Sequence, residues 1–136
     1  MTTDLELLGR AIKQAQYRNH RTMDSALRDA GVTLVQWDAL RAIEHLPGAS
    51  GHALAMATFQ SDQAFGTLAG RMEARGLIER APGHGRRLDY TLTEAGRTAL
   101  EEGHRIAARV LETLFAPLDE PERALLATTL TALVGD

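Results

Sequence analysis

The chain has 136 residues, 44% of them hydrophobic but only six of them Phe, Tyr or Trp, with a formal net charge of −3 and no cysteine. That length suits about one domain, and a core drawn from Leu, Ala, Ile and Val favours helices. Disulfides, thiolate metal sites and thiol redox sensing are excluded, and no apolar run approaches the ~20 residues of a membrane span.

The start, Met1-Thr2-Thr3-Asp4-Leu5-Glu6, lacks the basic-then-apolar pattern of a signal peptide, so a cytoplasmic protein is expected. Residues 4–30 read as one long helix. Leu5, Leu8, Ile12, Ala15, Met23, Ala26, Leu27 and Ala30 recur mostly at helical steps, and Gly31 supplies the stop. The stretch 17–22 is polar and faces water or lines something polar. Thr33 caps a second helix, in which Trp37, Leu40 and Ile43 share a face and Glu44 points outward. Leu46-Pro47-Gly48-Ala49 breaks it, and Ser50 caps a short alanine-rich third helix running to about Phe59.

Ser61 or Asp62 caps a fourth helix that ends at Arg75, with Phe65, Leu68, Ala69 and Met72 as its apolar stripe and Gly76 as its stop. The period then changes. Residues 77–80 and 88–92 read as short strands, and between them 81–87 is a turn-rich segment with a proline, two glycines and a basic tip. Thr93 caps a helix from Glu94 to about Phe115, with Ile106, Val110, Leu111 and Leu114 on its apolar side. Asp119, Pro121 and Glu122 form the start of a last helix carrying Leu125, Leu126, Leu130 and Leu133. The expected fold is mainly α with a small β-hairpin.

A short helix, a turn, a second helix and a hairpin together make a winged helix-turn-helix. The second helix fits the ~12 Å major groove, with its N-terminal residues at base edges. The candidate DNA-contacting residues there are Ser61, Asp62, Gln63, Ala64, Gly66, Thr67 and Arg71, with Ser50 at the preceding helix start. Gln63 suits a bidentate contact to adenine, Thr67 bonds to several bases, and Ala64 is small enough to meet a thymine methyl. Gly66 allows close backbone approach. His84, Arg86 and Arg87 in the hairpin are placed for phosphates or a narrow minor groove. The acidic net charge opposes DNA binding, but between Ser61 and Tyr90 five arginines stand against four acids.

Three blocks carry a family resemblance: residues 33–40 beginning Thr33-Leu34-Val35-Gln36-Trp37, residues 71–80 containing Arg75-Gly76-Leu77-Ile78-Glu79-Arg80, and Leu92-Thr93-Glu94-Ala95-Gly96-Arg97. With these in register, the chain resembles the multiple antibiotic resistance regulator (MarR) family over nearly its whole length. The resemblance implies a single domain over 1–136, with a winged helix-turn-helix lobe at 33–92 and dimerisation helices at 4–30 and 94–134. It also implies a homodimer on a pseudo-palindromic operator in double-stranded DNA, usually a repressor. Relatives carry an Asp-x-Arg pattern in the wing. Here Arg86 takes the arginine position, His84 stands where the aspartate is expected, and Asp89 is the available substitute.

The resemblance further implies release by a small aromatic or phenolic effector, for which Tyr17, His20, Arg21, Trp37, Asp38 and Arg41 are candidates. Arg41 would pair with a carboxylate and Trp37 would stack on a ring, although Trp37 also fits a core position. No metal or cofactor site is read from the five histidines, and no catalytic motif stands in the chain. The rival reading is a winged-helix module that binds another protein, and a helical enzyme is weaker still.

Overall fold

Side-chain caps fix where the helices of this computed structural model begin. It describes residues 1–135, so Asp136, the last residue of the expected 1–136 domain, lies outside the described residues. Asp4, Thr33, Ser50, Ser61, Thr93 and Asp119 each accept a hydrogen bond from a first-turn backbone N–H, a contact worth ~1 kcal/mol each. They open α1 (Leu5–Leu27), α2 (Leu34–His45), α3 (Gly51–Ala57), α4 (Asp62–Ala74), α5 (Glu94–Leu114) and α6 (Glu120–Val134). Between α4 and α5 lie β1 (Ile78–Pro82) and β2 (Leu88–Leu92), an antiparallel pair in register from Ile78↔Leu92 to Pro82↔Leu88. The fold is mainly α with one two-stranded hairpin, as the pattern of periods implied.

Boundaries differ from expectation where backbone geometry overrides the apolar period. The first helix does not run to Ala30. It tightens into a 3-10 turn over Arg28–Ala30 before Gly31 turns left-handed at φ 77°. The third stops at Ala57, because the Thr58 hydroxyl donates back to the Leu54 carbonyl at 2.7 Å and Phe59 takes φ 59°. The first strand runs on to Pro82, and the turn closes through Gly83 N–H to the Arg87 carbonyl at 2.8 Å. Leu88 stays exposed, so only Tyr90 and Leu92 of β2 face inward.

The core gathers Met23 and Leu27 of α1, Trp37, Leu40 and Ile43 of α2, Leu54 of α3, Phe65 and Met72 of α4, Ile78 and Leu92 of the hairpin, and Leu100 and Ile106 of α5. The indole N–H of Trp37 donates to the Leu100 carbonyl at 3.2 Å. Gly103 makes that approach feasible, since a Cβ there would lie 2.2 Å from the indole nitrogen. Arg75, just past α4, donates to the Gln36 side-chain oxygen at 3.0 Å and to the Gly31 carbonyl. Gln36 also closes the capping box of α2 with Thr33, so one arginine fastens the far end of α4 to the α1–α2 joint.

No residue of α1 before Met23 and none of α6 is buried. Leu5, Leu125 and Leu133 are 76%, 68% and 64% exposed. Among the described residues these apolar stripes have no cover.

Candidate nucleic-acid interface

The start of α4 presents an open face. Ser61 caps it by accepting from Ala64 N–H at 3.1 Å, and Ser61, Asp62, Gln63, Ala64, Thr67 and Arg71 are all exposed. Phe65, Ala69 and Met72 on the opposite side are buried, which fixes the rotation of the helix. Beyond its chain neighbours and the adjoining helix backbone, no atom of the described residues lies within 4 Å of where a Gly66 Cβ would sit, so packing does not require that glycine. Thr67 is narrower in its chemistry than expected: its hydroxyl donates to the Gln63 carbonyl at 3.1 Å. It therefore offers the groove acceptor lone pairs and a methyl, and no donor. Ser50, half-buried, caps α3 by accepting from Ala53 N–H at 3.1 Å. The hydroxyl protons of Ser50 and Ser61 stay available.

The wing is fastened at two points. Arg80 of β1 meets Glu73 of α4, its guanidinium on one carboxylate oxygen and its backbone N–H on the other, both at 3.1 Å. These two hydrogen bonds, the side-chain one first, hold the Glu73 carboxyl below the usual carboxylate range. Arg87 donates to the Gly48 carbonyl in the α2–α3 turn, which braces the wing. Arg86 and His84 are exposed, and Arg86 has no ion-pair partner among the described residues. Asp89 does not replace the missing wing aspartate. Its carboxylate lies over Gly83, and it makes no ion pair with Arg86.

The six residues expected to line an effector cleft do not line one cavity of the single chain. Trp37 lies in the core. It is 4% exposed, its N–H is already used, and the Arg41 guanidinium sits 4.7 Å from its ring centroid. Tyr17 and Arg21 flank a depression along α1, with the Arg21 guanidinium 5.6 Å from the Tyr17 ring. Asp38 and Arg41 line a separate cleft between α2 and the α3–α4 turn, with His45, Thr58 and Phe59. Burial raises the Asp38 carboxyl; the Arg41 charge and hydrogen bond at 3.4 Å, and then the His20 charge, pull the other way without cancelling the rise.

Four contacts lay beyond sequence reading: Arg75 at the α1–α2 joint, the Arg80–Glu73 clamp, Arg87 on the Gly48 carbonyl, and His52 of α3, whose Nδ1 is 2.8 and 3.1 Å from the two Asp62 carboxylate oxygens. Among the described residues no cluster of three metal-ligating side chains forms, and no helix is long and apolar enough to cross a membrane.

The MarR family model matches residues 30–87. The chain is similar to the HTH-type transcriptional repressor Rv2887 of Mycobacterium tuberculosis, 33% identical over 101 residues that span 70% of this chain and 73% of that protein. The crystal structure of that mycobacterial protein in complex with salicylic acid aligns with a TM-score of 0.75 and 26% identity, over 93% of this chain and 95% of the other. A mutant MarR from E. coli in complex with operator DNA shares the fold, with a TM-score of 0.87 at 22% identity over 96% of this chain and 99% of that one. With an exposed helix start, a braced wing and a relative matched over most of both lengths, this chain belongs to the MarR family of winged-helix transcription regulators.

Proposed function

We propose that two copies of this chain form a dimer that represses transcription by occupying a pseudo-palindromic operator. Each α4 lies in a major groove and each wing at the adjacent backbone or minor groove. The observation that carries this reading is the exposed N-terminal face of α4 standing beside a wing braced by Arg80 and Arg87. Gln63 reads adenine as a bidentate partner, Ala64 meets a thymine methyl, and Thr67 accepts from an exocyclic amine. Arg71, Arg86, His84 and the hydroxyl protons of Ser50 and Ser61 serve phosphates. The uncovered stripes of α1 and α6 are buried in the dimer, which spaces the two recognition helices about one helical turn, ~34–36 Å, apart. The 33–92 lobe and the flanking helices then divide the labour, and the cytoplasm is where such a protein meets its DNA.

The mycobacterial relative was crystallised with salicylic acid. In this chain the cleft between α2 and the α3–α4 turn offers Arg41 for a carboxylate and Phe59 for an aromatic ring. A ligand favouring a lobe spacing mismatched to successive major grooves lowers operator affinity by population shift.

The test is fluorescence anisotropy on the intergenic DNA upstream of the chain's own gene, with an unrelated duplex as control. Tight binding that weakens steeply with salt is expected. Gln63→Ala should cost about 1–3 kcal/mol on that DNA alone, and Arg86→Ala should weaken both duplexes alike. Equal, salt-indifferent binding to both duplexes would sink the reading.

A further inference from the structure

His52 and Asp62 are ten residues apart, on α3 and on the first turn of α4, and their side chains are 67% and 68% exposed. Asp62 lies in the first turn of α4, at the positive end of the helix dipole. An ionised carboxylate only accepts hydrogen bonds, so the ring nitrogen facing it, Nδ1, carries the proton. In the neutral imidazole this leaves Nε2 as a bare acceptor, which repels a phosphate oxygen. A second proton converts Nε2 into a donor and adds a positive charge at the same place. Nε2 has no hydrogen-bond partner among the described residues.

The charged and titratable groups around His52 come from three directions. Asp62 of α4 faces the ring. From the hairpin, Arg87 braces the Gly48 carbonyl four residues away, and the Tyr90 hydroxyl lies against neighbouring Gly51. Ser50 of the α2–α3 turn is neutral and occupied with capping α3.

From this geometry we infer that operator binding is coupled to protonation of His52. Asp62 holds the ring so that the imidazolium alone donates through Nε2 to a backbone phosphate, and the dimer takes up a proton at each half-site when it binds DNA. The inference rests on the DNA-binding reading above. It assigns His52 a phosphate contact and Asp62 the positioning of that contact. It also accounts for an anion on the recognition face, because the pair is neutral in its DNA-bound form. Histidine is the side chain suited to such coupling, changing charge between about pH 5 and 8.

The test uses the full chain and the tightest duplex it selects from a random-sequence pool. The salt dependence of affinity is measured at about pH 6 and about pH 8, for wild type, His52→Gln and, as a control away from the recognition face on α5, His104→Gln. Each added phosphate contact steepens the log–log salt slope by about 0.9, so the wild-type dimer should show a slope steeper by about 2 at the lower pH. His104→Gln should keep that difference, and His52→Gln should lose it. Calorimetry of the wild type in two buffers of different ionisation enthalpy should show net proton uptake on binding, a readout that does not depend on any variant folding. A pH-dependent slope that survives in His52→Gln, or wild-type binding without proton uptake, overturns the coupling alone. Failure of the wild type to bind any duplex in a salt-dependent way overturns the DNA-binding reading with it.

Discussion

Phe59 turns the chain between α3 and α4 at φ 59°, with its ring 97% exposed. A left-handed backbone costs an L-residue roughly 1–2 kcal/mol, and an exposed ring recovers none of that through burial. Asparagine tolerates this region. Phe59→Asn should therefore stabilise the protein by about 1 kcal/mol and raise Tm by a few degrees, read by thermal denaturation at one fixed protein concentration. An unchanged or lower Tm would mean that the ring is covered in the assembled protein. The sequence gives no warning of this turn, because glycine and asparagine are the residues that announce a left-handed position. The helix was accordingly expected to continue to Phe59. Trp37 illustrates the opposite difficulty. Its type and polar tip suit a ligand cleft as well as a core, and what decides is the Leu100 carbonyl 63 positions away.

Between elements, the contact with the clearest pH signature is the clamp of Arg80 on Glu73. Because the folded state holds the Glu73 carboxyl below its ordinary value, the contribution is present above the usual carboxylate range, ~4.3 for glutamate. It is lost as the pH falls through the depressed value. Glu73→Gln should thus lower Tm at neutral pH, and the gap to wild type should close in acid. A gap that persists unchanged at low pH would show that the loss comes from packing. The elements themselves were legible because their causes are local: a capping side chain, a helical period, a stop glycine. All of the helix starts and the change of period at the hairpin follow from residues within a few positions of one another. The fastenings between elements were not legible. Arg87 reaches Gly48 across 39 positions and Arg75 reaches Gly31 across 44, and nothing in either arginine's neighbourhood names its acceptor. For the same reason the exposed face of α4 could be read from its own stripe, whereas the His52–Asp62 pair needed the angle between two helices.

At the scale of the whole molecule, the division between a packed lobe and uncovered helices sets the assembly. Burying an exposed leucine contributes about 1.5–3 kcal/mol, so charges on those stripes oppose a second copy directly. The double variant Leu125→Glu/Leu133→Glu should run as a monomer in light scattering, with little change in helix content from α2 to α5. It should also lose operator affinity far more than either lobe contact alone explains, because simultaneous engagement of two half-sites is lost. A variant that stays dimeric would place the interface elsewhere. The bareness of α6 also has a cellular consequence. It is a 15-residue helix without a single buried residue, and a helix that short is marginal on its own in water. In the proposed dimer, a newly made subunit therefore carries a frayed tail until it meets its twin, and frayed tails are where proteases begin. Turnover would fall chiefly on unpaired subunits. The amount of regulator in a cell would then follow the chance of two copies meeting, so that a modest fall in synthesis removes a disproportionate share of the repressor.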